Sequence, residues 1–300
     1  MSRNKHKLAI IYTFLSILSW SFIPIVSKLA QTQIEGSLFL FYSNIFSFIA
    51  VIVYTKISHN KNFRFKIDNK TMFKTAYLGF LGCFLYYICI YYGYKVANPI
   101  EVIIIQYLWP ILISILSLFL LKEKLTLNKI IALILGFLAV VIVIAKGDIL
   151  NIHFDSLSGL VIVFLGAVSF ALFSVLSKKE QIEPYLGVIL FFAWASLFSL
   201  IWVIIVGKLE LPNGKDMIFI MINGIIINGI SYIWWIKALS LWQASKISIL
   251  VFLTPVLATM WLMIFLNEKV FQSYTIALIF VIISGILTLR QKNANSKIID

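Results

Sequence analysis

The chain has 300 residues, 61% of them hydrophobic and 12% charged, with a formal net charge of +13. So apolar a composition excludes a soluble globular domain and leaves an integral membrane protein. The positive balance would suggest nucleic acid in a soluble chain, but here the placement of the basic residues assigns it to membrane orientation, and no nucleic-acid partner is expected.

Ten charge-free stretches are long enough, or nearly so, to cross a hydrocarbon layer as helix: 8–27, 36–55, 75–94, 102–121, 130–145, 156–177, 184–207, 217–236, 247–267 and 270–289. Only the fifth is short, and tilt or flanking lysines absorb that. The runs are continuous and lack the period-2 alternation of barrel strands, so the expected fold is all-α with ten transmembrane helices. "MSRNKHK" followed by 8–27 superficially resembles a signal peptide; the apolar part is too long and no A-x-A site follows, so it reads as a retained first span. With the N-terminus cytoplasmic, the inner segments carry 19 Lys/Arg and the outer segments six, beside seven acidic residues. This bias puts both termini in the cytoplasm and the protein in the cytoplasmic membrane, with the basic loop from Lys56 to Lys74 against anionic lipid.

In the third span, Tyr87, Tyr91 and Tyr94 follow i, i+4, i+7 and stack three phenols on one stripe. Cys83 and Cys89, six apart in the same span, read as packing residues and not as a disulfide or metal pair. Pro99 suits a helix's first turn, and Glu101 just after it has two readings. It is either an intramembrane acid that protonates or meets a substrate ammonium, or a headgroup-level carboxylate favouring a helix N-terminus.

The fourth span then carries "QYLWP", residues 106–110. A helix-interior proline costs about 3 kcal/mol and frees a carbonyl, here that of Gln106. Lipid cannot satisfy such a group, so the span is expected to bend at Pro110 beside a watery cavity, the alternative being that the proline only shapes packing. Gln106 and Trp109 share a face with Ile113. Glu123-Lys124 at the span's end is expected to snorkel and pair at the interface. The eighth span offers Asn223, Asn228, Tyr232 and Trp235, followed by Trp242 and Gln243. Aromatic faces with isolated amides suit a small organic ligand. Tyr92, Tyr94, Trp202 and Trp242 instead read as interfacial belt, while Tyr107 and Trp109 lie nearer mid-span.

Sliding the sequence on itself by 145 residues sets "QYLWPILISILSLFLLKEKLTLNKIIALI" on "VFLTPVLATMWLMIFLNEKVFQSYTIALI", with Pro110 on Pro255 and Glu123-Lys124 on Glu268-Lys269. A shift of 150 sets "SWSFIPIVSK" on "SFALFSVLSK". The chain therefore reads as a duplicated five-helix unit, residues 1–148 and 149–300. Five is odd, so the second copy is expected to insert upside down, the inverted-repeat plan of secondary transporters that work by alternating access.

These motifs resemble a known group. The segments "LLKEKLTLNKIIALILGFLAVVIVI" and "FLNEKVFQSYTIALIFVIISGILTL", each closing one half, are similar to paired EamA domains of the drug/metabolite transporter superfamily. Within it, "PIEVIIIQYLWPIL" and "YIWWIKALSLWQASKISILVFLTPVLATM" resemble bacterial aromatic amino-acid exporters. The resemblance implies a ten-helix exporter of small metabolites with a central cavity, lined or hinged by Glu101, Gln106, Tyr107, Trp109, Pro110 and Pro255. Gln106 stands where those exporters lead one to expect asparagine, which leaves substrate size open. The substrate class expected is amino acids, aromatic or otherwise neutral; sugars, nucleosides or toxic cations are the alternative, and a passive channel a more distant one.

An enzyme is not expected: His6, His59 and His153 all fall in loops or the tail, and no G-x4-G-K-[ST] motif occurs. No cofactor or metal is called for. The partners implied are a small-molecule substrate and the lipid bilayer; the sequence does not give the oligomeric state. Coupling is open between proton transfer through Glu101 or Tyr91 and facilitated export.

Overall fold

A computed structural model of the chain describes residues 3–30, 35–58, 67–97, 99–151, 156–207, 209–266 and 271–290. All regular structure among these residues is helical. Ten helices are long and apolar enough to cross a membrane: span 1 (Asn4–Val26), span 2 (Gly36–Ser58), span 3 (Asn69–Val96), span 4 (Pro99–Leu120), span 5 (Leu127–Ile144), span 6 (Leu157–Glu180), span 7 (Pro184–Val206), span 8 (Gly214–Leu241), span 9 (Ala244–Phe265) and span 10 (Ser273–Arg290). Each has a lipid-compatible outer face, as exposed Ile201, Ile204 and Ile205 of span 7 illustrate, and an inner face on the protein core. The expected positions of Glu268, Lys269, His59 and His153 lie outside the described residues.

Local chemistry sets the span ends. Asp68 precedes span 3, and its Oδ1 accepts from the Thr71 amide at 2.9 Å. The Thr71 hydroxyl, and after it this amide, hold the exposed Asp68 carboxyl below the usual carboxylate range. Glu183 caps span 7 through the Leu186 amide at 2.7 Å, with Pro184 in the first turn. Asn213 caps span 8 through the Asp216 amide at 2.9 Å. Span 7 ends on Gly207 at φ 71°, a left-handed conformation that glycine adopts without strain.

The main helix pairings have a simple rule. Span 2 packs on span 7, span 4 on span 9 and span 5 on span 10. Span 1 packs on span 8 as span 3 does on span 6; span 2 on span 8 as span 7 on span 3; span 4 on span 6 as span 9 on span 1. Exchanging each span with the one five places away leaves this set unchanged. Glycines repeat the pattern atom by atom. A Cβ on Gly79 of span 3 would lie 2.6 Å from the Phe191 carbonyl oxygen of span 7, and a Cβ on Gly224 of span 8 would lie 2.6 Å from the Ser43 carbonyl oxygen of span 2. Gly79 and Gly224 are separated by the same 145 residues that align Pro110 with Pro255. Without a hydrophobic drive between helices in lipid, such close backbone approach is what holds them together.

Two spans are not α-helical throughout. Span 3 widens to π geometry over Phe80–Leu85 and span 8 over Asn223–Ile230. Both segments lie in the middle third of their spans, and spans 3 and 8 are exchange partners. Single π turns recur at functional sites because they re-aim side chains and loosen the backbone ladder.

Candidate functional site

The QYLWP segment breaks its helix instead of kinking it. Helix runs from Pro99 to Gln106, turns at Tyr107 and Leu108, and restarts at Trp109. Pro110 therefore occupies the first turn of a new helix, where the missing N–H and fixed φ cost little. Span 9 does the same, breaking at Val251 and Phe252 and restarting at Leu253 ahead of Pro255. The Val251 carbonyl, four residues before Pro255, accepts from the Thr254 amide at 2.8 Å. Both prolines are buried in protein, so neither break faces the acyl chains.

Trp109, at the restart, enters an aromatic core built from four spans. Its ring meets Phe170 at 4.9 Å, Trp235 at 5.6 Å and Trp20 at 6.2 Å between centroids, all near edge-to-face. Trp20 and Trp235 lie 5.3 Å apart. The indole N–H of Trp235 donates to Ser174 Oγ at 3.1 Å and that of Trp20 to Ser231 Oγ at 2.9 Å. The indole N–H groups of Trp235 and Trp20 are thus satisfied, as a buried tryptophan requires.

Beside this core runs a string of polar groups joining the two π segments. Tyr232 Oη lies 3.2 Å from the Gly82 carbonyl oxygen and 3.1 Å from Tyr87 Oη, and Tyr87 Oη donates to Asn228 Oδ1 at 3.0 Å. Gly82 belongs to the π segment of span 3 and Asn228 to that of span 8. Tyr87 and Tyr232 are again 145 residues apart, so equivalent tyrosines of the two halves touch each other. Asn228 is 1% exposed, and its Nδ2 has no hydrogen-bond partner. A buried donor left unmade costs about 1–3 kcal/mol. The ring of Tyr86 packs on Tyr87 at 4.9 Å, and its hydroxyl accepts from Gln106 Nε2 at 2.6 Å, which ties QYLWP to the string.

A second cluster closes one end of the bundle. Glu123, at the end of span 4, accepts from the Ala244 amide at 2.8 Å, the Ser245 amide at 3.1 Å and Ser245 Oγ at 2.6 Å, capping span 9. Lys178 of span 6 stands 3.6 Å from the same carboxylate and donates to the Leu239 carbonyl at 2.9 Å and to that of Trp242. Lys129, 2% exposed, donates to the Lys124 carbonyl at 2.8 Å and to Ser245 Oγ at 2.7 Å. This corrects the expectation of an interfacial Glu123-Lys124 pair: Glu123 turns inward because the N-terminus of span 9 offers it two amides and a hydroxyl. Trp242 is likewise buried, not part of an interfacial belt, and lies over His6 at 5.5 Å.

Known proteins bear on what this arrangement serves. The profile of the EamA-like transporter family matches residues 7–145 and, again, 157–290. The chain belongs to the EamA-like transporter family. Ten of its described helices can cross a membrane, and the relatives it matches are described as transporters. Among similar EamA relatives, the uncharacterized transporter YyaM of Bacillus subtilis (strain 168) is 30% identical over 60% of this chain and 61% of its own length. The uncharacterized transporter YoaV of the same strain is 24% identical over 64% of this chain and 65% of its own. The aromatic amino acid exporter YddG of Ancylobacter novellus is 25% identical over 62% and 65%. The chain thus spans a little under two thirds of the length of these relatives. A solved crystal structure superposes with a TM-score of 0.82 over 93% of this chain and 95% of its own, at 20% identity, which establishes the shared fold.

In this EamA protein the residues singled out from sequence fall into separate groups. Trp109, Tyr232 and Trp235 meet in the aromatic core, and Tyr87, Asn228 and Tyr232 in the polar string. Tyr91 is half-buried, its ring 6.0 Å from Tyr87, whereas Tyr94 is exposed, so the expected stripe of three phenols divides. Tyr107 turns toward the separate cluster formed with spans 5 and 10. Glu101 is 1% exposed in the first turn of span 4, buried in protein. Tyr86, Trp20, Phe170, Ser174 and Ser231 escaped the sequence reading; the shift of 145 sets Tyr86 on Ser231, an unlike pair that signals neither.

Proposed function

We propose that this transporter exports small amphipathic metabolites, amino acids with aromatic or other neutral side chains, by alternating access between two inverted halves, residues 1–148 and 149–300. The observation that carries the reading is the contact of equivalent tyrosines, Tyr87 and Tyr232, between two π segments at mid-depth. A contact of equivalent residues sits on the exchange axis of the helix pairings, where a site used alternately from both sides belongs. Tyr87, Tyr91, Gln106, Asn228 and Tyr232 supply hydroxyls and amides there, and Trp109 and Trp235 an apolar wall. Glu101 extends the lining toward the start of span 4, Tyr107 at the break borders it from the side of spans 5 and 10, and the breaks before Pro110 and Pro255 are the hinges.

Five spans per half make equivalent spans run in opposite directions, which supports inversion. The end closed by Glu123 also gathers Lys74 on Glu180, Lys237 on Tyr185, and His6 on Trp242. That concentration of basic side chains supports a cytoplasmic assignment for this end and for both termini. Similarity to an aromatic amino acid exporter supports the cargo class.

The test is counterflow into proteoliposomes with a panel of aromatic and aliphatic amino acids, against sugars, nucleosides and organic cations. Saturable exchange of neutral amino acids is the expected result. Exchange of another class alone overturns the cargo assignment, and ohmic single-channel currents overturn alternating access.

A further inference from the structure

The exchange that relates whole spans fails for the half-helices of spans 4 and 9. The second half of span 4, Trp109–Leu120, packs on the first half of span 9, Ala244–Leu250. Moved by 145 residues, this pair becomes the second half of span 9, Leu253–Leu266, with the first half of span 4, Pro99–Gln106, and those two form no comparable packing among the described residues. Spans 6 and 8 repeat the asymmetry. The second half of span 8, Ser231–Leu241, packs on span 6, whereas its counterpart in span 3, Tyr86–Val96, has no comparable packing on span 1 among the described residues.

The side chains follow the helices. At the packed end Ser114 Oγ lies 3.1 Å from Ser248 Oγ, and both serines are buried. Their counterparts 145 residues away, Thr259 and Ile103, are only partly buried. Ser245 and Leu239 are 1% and 0% exposed, against 38% and 40% for their counterparts Ile100 and Tyr94. Equivalent positions have equivalent neighbours in a bundle that exchange leaves unchanged, so the added exposure marks faces that lack a partner helix at one end only.

We propose that this structure is one of two exchange-related conformations, closed at the Glu123 clasp and parted at the opposite end, and that in the other the clasp releases and Ile103 of span 4 meets Thr259 of span 9. The proposal rests on the transport function inferred above and names its two gates. With the clasp at the cytoplasmic end, the conformation described here is open outward. The halves also differ in what favours closure. Lys129, which binds Ser245 Oγ within the clasp, corresponds to Tyr274, and Lys246 beside it corresponds to Glu101. Charged contacts therefore favour closing the clasp end over closing the other, and the protein rests in the conformation seen.

Two cysteine pairs test this in purified protein oxidised with diamide: Ser114→Cys with Ser248→Cys, and Ile103→Cys with Thr259→Cys. The first pair is expected to form its disulfide about tenfold faster or more, since thiols join only where Cα atoms come within about 7 Å. Adding Glu123→Ala should speed the second pair about tenfold and slow the first, because a two-state equilibrium that loses one gate populates the other. Equal rates for the two pairs overturn the proposal. So does a rate for the second pair that ignores Glu123→Ala, because a contact that only staples its own end leaves the far end as it was. In proteoliposomes the first disulfide should halt counterflow until dithiothreitol restores it, and undiminished flux through the locked protein overturns the proposal as well. Absence of flux for the whole panel in wild type overturns the function instead, and the two rates then judge the conformations by themselves. Should the buried serine pair fail to fold, as judged by gel filtration in detergent, the response of the second pair to Glu123→Ala decides.

Discussion

Gly79 and Gly224 illustrate how little room single positions have. Each lies against a carbonyl oxygen of a neighbouring span, and backbone cannot move aside as a side chain can. Gly224→Ala is expected to cost about 1–3 kcal/mol by overpacking. Gly285→Ala, with nothing within 4 Å of the added carbon, should cost none. Thermal unfolding in detergent separates the two. Glu101 offers a functional test of the same size: if coupling runs through this buried carboxylate, Glu101→Gln flattens the pH dependence of transport, and an unaltered profile removes it as the proton site. Gln106 and Trp109 could be picked out in the sequence because polar tips stand out in an apolar run. Trp20 and Phe170 could not, since an aromatic residue among aliphatic ones carries no sign of which ring it will meet.

Half-helices are the working units of spans 4 and 9. The sequence announces the breaks through proline, but a proline alone does not say whether a helix kinks or restarts; the restart at Trp109 and Leu253 follows from Pro110 and Pro255 finding first-turn positions. Nothing in the sequence announces the π segments, because their wider hydrogen-bond register is selected by neighbours. Span 2 supplies these: Ser47 donates to the Gly224 carbonyl at 2.8 Å, and Asn44 reaches the Cys83 carbonyl at 3.5 Å. The Glu123 clasp is a further element-level device, tying the end of span 4 to the start of span 9. Glu123→Ala removes three acceptor contacts and an ion pair, with an expected loss of about 1–3 kcal/mol. It should also increase labelling of a cysteine placed at Ser245. Unchanged stability and labelling would show that the clasp does not hold this end closed.

The whole bundle is organised by exchange between its halves, which predicts where each loop lies. Single cysteines replacing exposed Lys146 and Lys215 should react with an impermeant thiol reagent from outside the cell, and those replacing exposed Lys5 and Lys179 should not. Native Cys83 and Cys89 are buried and unpaired with each other, so background labelling is low. Reaction at Lys5→Cys in intact cells would reverse the orientation.

Ten helices, their approximate limits and the bias of basic residues follow from the chain alone. Hydrocarbon admits only long apolar segments with internally paired backbones, and that constraint is written one residue at a time. Which rings stack, where the two π segments meet and how Glu123 finds the start of span 9 depend on groups far apart in the chain, as Trp20 and Trp235 are. Apolar sequence is nearly silent on such partners, because lipid and protein interior accept the same side chains, and only close packing between spans distinguishes them.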